Sequence, residues 1–183
     1  MAGPGGPGWA PPGGAGGEGP AAPPPPALSH LAADGSARMV DIGDKPETER
    51  RATAYARVEL RPATLAQICA RGTPKGDLFA VARLAGILGA KRTPDLIPLC
   101  HPLPLSCVEV AIEPEGEAAL AIRCTCATRA RTGVEMEAMT GAALAALAVY
   151  DMVKGLDRAA AIAEVRLLEK SGGRSGPWRR GES

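Results

Sequence analysis

Aromatic side chains are scarce in this chain of 183 residues, with one Phe, two Tyr and two Trp. A nucleic-acid surface that stacks bases needs aromatic pairs on its strands, so the scarcity argues against an RNA-recognition module. A strong charge of either sign is also missing. All 21 Lys and Arg and all but two of the 20 Asp and Glu lie beyond residue 37. That mild positive balance argues against a general nucleic-acid binder and leaves small anionic ligands open. No uncharged run beyond residue 37 exceeds the thirteen residues of Ala138–Tyr150. Such a run is too short to cross a bilayer, so a soluble, cytoplasmic protein without membrane contact is expected. The five cysteines, at 69, 100, 107, 124 and 126, include no CxxC pair. An odd number cannot pair completely, and reduced thiols are expected. Zinc held by Cys100, His101, Cys107 and the Cys124/Cys126 pair is conceivable, but the spacing lacks the usual knuckles, and no metal or cofactor is expected.

What is abundant is concentrated at the start. Of residues 1–26, 18 are Gly or Pro, a composition that cannot bury enough surface to offset its chain entropy. Residues 1–37 are therefore expected to be a disordered tail without a targeting signal, followed by one domain over 38–176 and a flexible C-terminus over 177–183.

Within the domain, Ala52, Ala54, Ala56 and Val58 alternate with polar residues, predicting a half-buried strand over Glu49–Leu60. Residues 63–71 read as a short helix. Asp77 is a good N-cap for a second helix over 78–91, with Leu78, Val81, Ala85 and Leu88 on its apolar face. Prolines at 94, 98, 102 and 104 predict an irregular, rigid loop from Thr93 to Leu105. A hairpin follows over Ser106–Glu113 and Ala118–Cys126, then a long Ala-rich helix over Val134–Lys154 and a last strand over Val165–Lys170. This order is βαββαβ: an α+β, ferredoxin-like fold with a four-stranded antiparallel sheet and helices packed on one face.

Five polar interruptions mark candidate chemistry. Lys75-Gly76-Asp77 precedes a helix, where free N–H groups and an ammonium could meet phosphate. Leu99-Cys100-His101-Pro102 presents one of the two histidines from the stiff loop. Thr132–Glu137 opens the long helix. Its two carboxylates, Glu135 and Glu137, either complement the helix dipole or accept from a guanine-like edge while Met136 packs on the ring. Asp151 and Lys154 share a helix face. The helix C-terminus disfavours the Asp151 anion and the ammonium opposes that effect, so proton exchange near neutral pH is expected of the pair. Lastly, Lys170-Ser-Gly-Gly-Arg174-Ser-Gly combines wrapping glycines with two cations, although the spacing is not that of a Walker loop.

These segments resemble the molybdenum cofactor biosynthesis protein C family, the cyclic pyranopterin monophosphate synthases. The matching strings are MVDIGDK (39–45), KGDLFAVARLAGILGAKRTPDLIPLCHPL (75–103), TGVEMEAMT (132–140), YDMVKG (150–155) and VRLLEKSGGRSG (165–176). The resemblance implies a lyase that converts 3′,8-cyclo-7,8-dihydroguanosine 5′-triphosphate, supplied by a radical partner enzyme, to cyclic pyranopterin monophosphate and pyrophosphate. A non-catalytic nucleotide-binding module is the alternative. It further implies catalysis by Asp151 with Lys75 and Lys154, and substrate contacts from Leu99, Cys100, His101, Glu135, Met136, Glu137 and Lys170, with Arg50 as a further basic group. One departure is Arg129-Ala130-Arg131, where the family often has Gly-Lys before Thr-Gly. The family also implies a homo-oligomer, a hexamer built as a trimer of dimers with sites at subunit contacts. On the long helix Glu137 and Asp151 are about 21 Å apart at 1.5 Å per residue. A composite site is therefore expected, with Lys75 and Asp151 drawn from different chains and Gly141 permitting close packing between them.

Overall fold

A computed structural model describes residues 34–71, 73–174 and 176–181. The tail expected over 1–37 lies outside the described residues up to position 33. The elements run β1 (Thr48–Glu59), α1 (Pro62–Arg71), α2 (Leu78–Lys91), α3 (Thr93–Leu96), β2 (Cys107–Pro114), β3 (Ala119–Ala130), α4 (Glu135–Val153), β4 (Ala161–Ser171) and β5 (Trp178–Arg179). The sheet order is β2-β3-β1-β4-β5, antiparallel at every pairing. The first four strands and their helices give the ferredoxin-like arrangement. The fifth strand is additional: residues 177–183 were expected to be a flexible end, yet Trp178 and Arg179 pair with Lys170 and Glu169.

Alternation explains the layers. Ala52, Ala54, Ala56 and Val58 of β1, with Leu120, Ile122, Cys124 and Cys126 of β3, face α2 and α4 and are buried. Their odd-numbered neighbours face away from the helices. All twelve residues of β1 pair in unbroken register with β3, from Thr48↔Ala130 to Glu59↔Ala119. The β1–β4 pairing is different, because the register shifts at Thr53/Ala54 and again at Arg57/Val58. An extra residue on β4, Leu168, stands at the first shift, so Leu167 opposite Ala54 and Lys170 opposite Ala52 share the helix-covered face. A strict two-residue period puts positions 167 and 170 on opposite faces, and the bulge cancels that parity.

The helical layer is closely packed through glycine. A Cβ on Gly141 of α4 would lie 2.5 Å from Cys124 Sγ and 3.1 Å from the Gly86 carbonyl of α2. Gly141 therefore serves contact inside the chain, in place of the contact between chains read from sequence. The same closeness corrects the expected apolar face of α2. Its buried residues are Leu78, Ala82, Gly86, Gly89 and Ala90, while Val81, Leu84 and Leu88 are exposed. Only small side chains fit where α2 crosses α4, so Val81, Leu84 and Leu88 point outward, while Leu78 is buried at the start of the helix. Prolines likewise did not abolish all regular structure after Thr93: α3 accommodates Pro94 in its first turn, where no N–H is needed.

α4 has a mean hydropathy of 1.3, enough by length and composition to span a membrane. Here it is a core helix, with Ala138, Ala142, Ala145, Ala146, Val149 and Val153 fully buried against α2 and the sheet.

Candidate active site

The two ends of α4 carry two separate groups of ionisable side chains. At its C-terminal end, Asp151 binds two ammonium groups. Lys75 Nζ donates to Asp151 Oδ2 at 3.0 Å and to the Asp151 carbonyl at 2.7 Å. Lys154 Nζ lies 2.6 Å from Asp151 Oδ1. Lys75 stands in a tight turn closed by reciprocal Thr73–Gly76 backbone hydrogen bonds, and Gly76 takes a φ of +104° that side chains disfavour. Directly after it, Asp77 Oδ1 accepts the Ala80 N–H at 3.0 Å and caps α2. Because α2 runs antiparallel to α4, its capped start lies beside the end of α4. Hydrogen bonds and charge from Lys154, then Lys75, hold the Asp151 carboxyl below its ordinary range, and Asp151 in turn raises Lys154. The pair is a stable carboxylate with two cations. Proton exchange near neutral pH, expected from the helix dipole, is overridden by Lys154 first, with Lys75 adding to it.

At the N-terminal end, Lys170 Nζ donates to Glu135 Oε1 at 2.8 Å, with both side chains about one-third exposed or less. Glu135 folds back over Gly133, where any Cβ would collide with its carboxylate. Arg50, two residues before Ala52 on the same face, donates Nε–H to the Ala130 carbonyl at 3.3 Å. Its guanidinium lies on Gly173, a position with φ +73° whose missing side chain makes room for it.

Two residues further along α4, on its inner face, Glu137 is only 3% exposed. Burial pushes its carboxyl up to about 7; its own backbone N–H opposes the rise and Glu135 adds to it. Glu137 is thus the acidic group at this end poised to titrate near neutrality. Cys100, half-buried next to it, has its thiol raised by burial and by the Glu137 charge. Leu99 and His101 flank Cys100 and are also half-buried, whereas Met136 is exposed at 38%. His101 Nε2 lies 2.9 Å from the Val40 carbonyl. A carbonyl only accepts, so Nε2 is the donor in this contact. Arg131 Nη1 donates to the Gly43 carbonyl at 2.7 Å. Together these two contacts tie residues 40–43 across this end of the fold.

Residues 39–173 match the MoaC family. The chain belongs to that family. It is 56% identical over 154 residues to the cyclic pyranopterin monophosphate synthase of Thermomicrobium roseum, covering 84% of this chain and 93% of that one. With the enzyme of the same name from Rhodospirillum rubrum the identity is 55% over 152 residues, 82% of this chain and 92% of the relative. With cyclic pyranopterin monophosphate synthase 3 of Mycobacterium tuberculosis it is 55% over 153 residues, 84% and 86% of the two chains.

Within this MoaC chain, the eleven residues singled out for the site fall into the two groups: Lys75, Asp151 and Lys154 at one end, and Arg50, Leu99, Cys100, His101, Glu135, Met136, Glu137 and Lys170 at the other. The expected division of Lys75 and Asp151 between chains is wrong, since they bond within one chain. The cysteines do not converge on a metal. Cys124 and Cys126 are buried under α4 while Cys69 and Cys107 are exposed, and among the described residues no group of three or more His, Cys, Asp or Glu could hold an ion. The chief residue that sequence reasoning missed is Lys45. With Arg50, Arg131 and Arg174 it lines a solvent-open cleft of about 460 Å³ beside Glu135. The signal was present as the last residue of the 39–45 string, but no periodicity ties it to the distant segments it meets.

Proposed function

We propose that this MoaC chain is a cyclic pyranopterin monophosphate synthase of molybdenum cofactor biosynthesis. It takes the cyclised dihydro-GTP, opens the dihydropurine ring, forms the pterin, and closes a cyclic phosphate as pyrophosphate leaves. The observation that carries this reading is the meeting of five distant segments, 39–45, 75, 99–101, 131–137 and 170–174, in two cation-rich groups at the ends of one helix. Such a reaction needs movable protons and fixed positive charge on a departing polyphosphate. Glu137 supplies a group that titrates near neutrality, and Lys75, Lys154, Lys170 and Arg50 supply the charge. Asp151 acts through the two lysines it holds.

The two groups belong to one reaction only if a second chain joins them. Glu135 and Asp151 are sixteen residues apart on α4, about 24 Å at 1.5 Å per residue. We place Lys75, Asp151 and Lys154 of one chain against Glu135, Glu137 and Lys170 of another, in a homo-oligomer assembled as a hexamer of three dimers. The outward-facing Leu84 and Leu88 of α2 and Leu147 of α4 offer apolar surface for such contacts. The reduced cysteines fit a cytoplasmic setting.

Incubation of the full chain with cyclised dihydro-GTP should yield equal amounts of pyrophosphate and a pterin that fluoresces after oxidation. Binding without any pterin would leave a non-catalytic nucleotide-binding module. Mixed oligomers separate the arrangements of the site. Lys75→Ala and Lys170→Ala, each inactive alone, should restore part of the activity when combined. Lys75→Ala with Asp151→Asn should not, because both lesions strike the same group.

A further inference from the structure

Asp157, in the loop between α4 and β4, belongs to neither ionisable group and is fully buried. Its Oδ2 accepts the Arg61 backbone N–H at 2.7 Å. Its Oδ1 accepts the Ala159 N–H at 3.1 Å and lies 3.1 Å from Arg61 Nε. The Thr64 side chain, itself buried, hydrogen-bonds to the same carboxylate, and Arg61 Nη2 donates to the neighbouring Leu156 carbonyl. Burial raises the Asp157 carboxyl, but the hydrogen bonds from Arg61, Ala159 and Thr64 outweigh it and hold the group below its ordinary range. Asp157 is thus a buried anion satisfied almost wholly by the start of α1. The Arg61 carbonyl accepts the Leu65 N–H and closes the first turn of that helix. Pro62 brings no N–H there, and α1 has no acidic residue in its own first turn. The carboxylate that faces this helix start therefore comes from a distant loop.

The other end of α1 leads to chemistry. Only three residues separate Arg71, where the helix ends, from Lys75. The stretch 151–157 consequently meets the stretch 61–75 twice, at Arg61 through Leu156 and Asp157 and at Lys75 through Asp151. The two contacts differ in strength. Lys75 and Asp151 have side chains 47% and 57% exposed, and an ion pair so open to water holds little by itself. A buried carboxylate with several directed donors is costly to disturb. Downstream, the turn bearing Lys75 is fixed by the Asp77 cap and by α2 on α4. Upstream, α1 buries Leu65 and Ile68, and apolar contact is non-directional, so it does not set the helix along its own axis. We infer that Asp157 is a positioning residue, which clamps the start of α1 to the loop after α4 and so sets the turn that presents Lys75 to Asp151. What the clamped pair does in turnover rests on the synthase reading; how it is held does not. Lys154 needs no such clamp, because it ends α4 itself, with its N–H on the Tyr150 carbonyl.

Trace acetylation of the full chain with acetic anhydride, read lysine by lysine by mass spectrometry, tests the clamp. Exposed Lys91 at the far end of α2 serves as internal reference. Asp151→Asn removes the partner of both Lys75 and Lys154 and should raise the labelling of both. Asp157→Asn keeps the size of the side chain but turns an NH2 group toward N–H donors in either orientation. It should raise Lys75 labelling by about tenfold, the loss of one charge-assisted hydrogen bond, and leave Lys154 at its wild-type level. Arg61→Met keeps the backbone contact, removes the ion pair at an exposed position, and should raise Lys75 labelling by a smaller factor. A folded Asp157→Asn protein, recognised by circular dichroism, whose Lys75 labels as in wild type overturns the inference even if its melting temperature falls. So does a parallel rise of Lys154, which would mean that the whole end of α4 has loosened. If Asp157→Asn does not fold, Arg61→Met decides, and unchanged Lys75 labelling there overturns the inference. With cyclised dihydro-GTP, kcat of Asp157→Asn should fall by about tenfold. Altered Lys75 labelling with no pterin from wild type leaves the clamp standing and the synthase reading fallen. Pterin from wild type with unaltered labelling in the variants gives the reverse.

Discussion

Replacing Glu137 by Gln should make the protein more stable at alkaline pH and leave it nearly unchanged in acid. Glu137 is 3% exposed, and burial raises its carboxyl from an ordinary 4.5 to about 7. Between those values the folded chain keeps a proton that the unfolded chain releases. Wild-type stability from this group is therefore full below about pH 4.5, falls as pH rises through the window, and levels off above 7. A tenfold change in proton affinity is worth about 1.4 kcal/mol, so the whole window amounts to roughly 3 kcal/mol. Glutamine has a similar shape, is neutral throughout and carries none of this loss. Urea unfolding of both proteins at pH 5, 6, 7 and 8 isolates the effect as a difference, because the other titrating groups are common to both. Protomer concentration must be held fixed, since association with another copy would add to the apparent stability. The variant should gain progressively over wild type, by up to about 3 kcal/mol at pH 8. A difference that does not change with pH would refute the reasoning: Glu137 would then ionise in the fold at its ordinary value, with water or an unrecognised cation reaching it.

Two further outcomes follow from the packing and the charges. Gly141→Ala puts a methyl 2.5 Å from Cys124 Sγ, so despite the better helix propensity of alanine it should lower stability by about 1–3 kcal/mol, visible as a drop in melting temperature; an unchanged melting temperature would mean that α2 and α4 can part without cost. Asp151→Asn keeps hydrogen-bonding capacity but removes the charge that raises Lys154, so kcat should fall at least tenfold and the alkaline limb of the pH–rate profile should move to lower pH, and an unmoved limb would show that Lys154 does not govern it.

Much of the fold was legible because alternation is a local property. β1, the hairpin and α4 followed directly from where the apolar residues recur. What escaped was set by contacts between segments distant in sequence. Leu168 is an ordinary strand residue in isolation; only its partner β1 makes it a bulge, and only the bulge turns Lys170 toward Glu135. Val81 and Leu88 of α2 were assigned inward because hydrophobic residues usually are, but where α2 crosses α4 the glycines leave space for nothing larger than alanine. The site residues were legible as motif strings, yet their division into two groups was not. Helical rise shows that Glu137 and Asp151 are far apart, and says nothing about which group the turn bearing Lys75 joins. That was decided by the antiparallel run of α2 beside α4. Lys45 was missed for the same reason, since its neighbours in space come from residues 50, 131 and 174.

α4 has the properties of a ruler. It joins the two ionisable groups without a break, and its glycine contact with α2 prevents it from flexing to absorb a change in length. One residue inserted between Glu137 and Asp151 would turn one end by about 100° relative to the other and advance it by about 1.5 Å. Removing four residues would nearly restore the angle but shorten the span by about 6 Å. Neither error can be compensated in a connecting loop. Residues along α4 can therefore be exchanged for others of like size while their number cannot change.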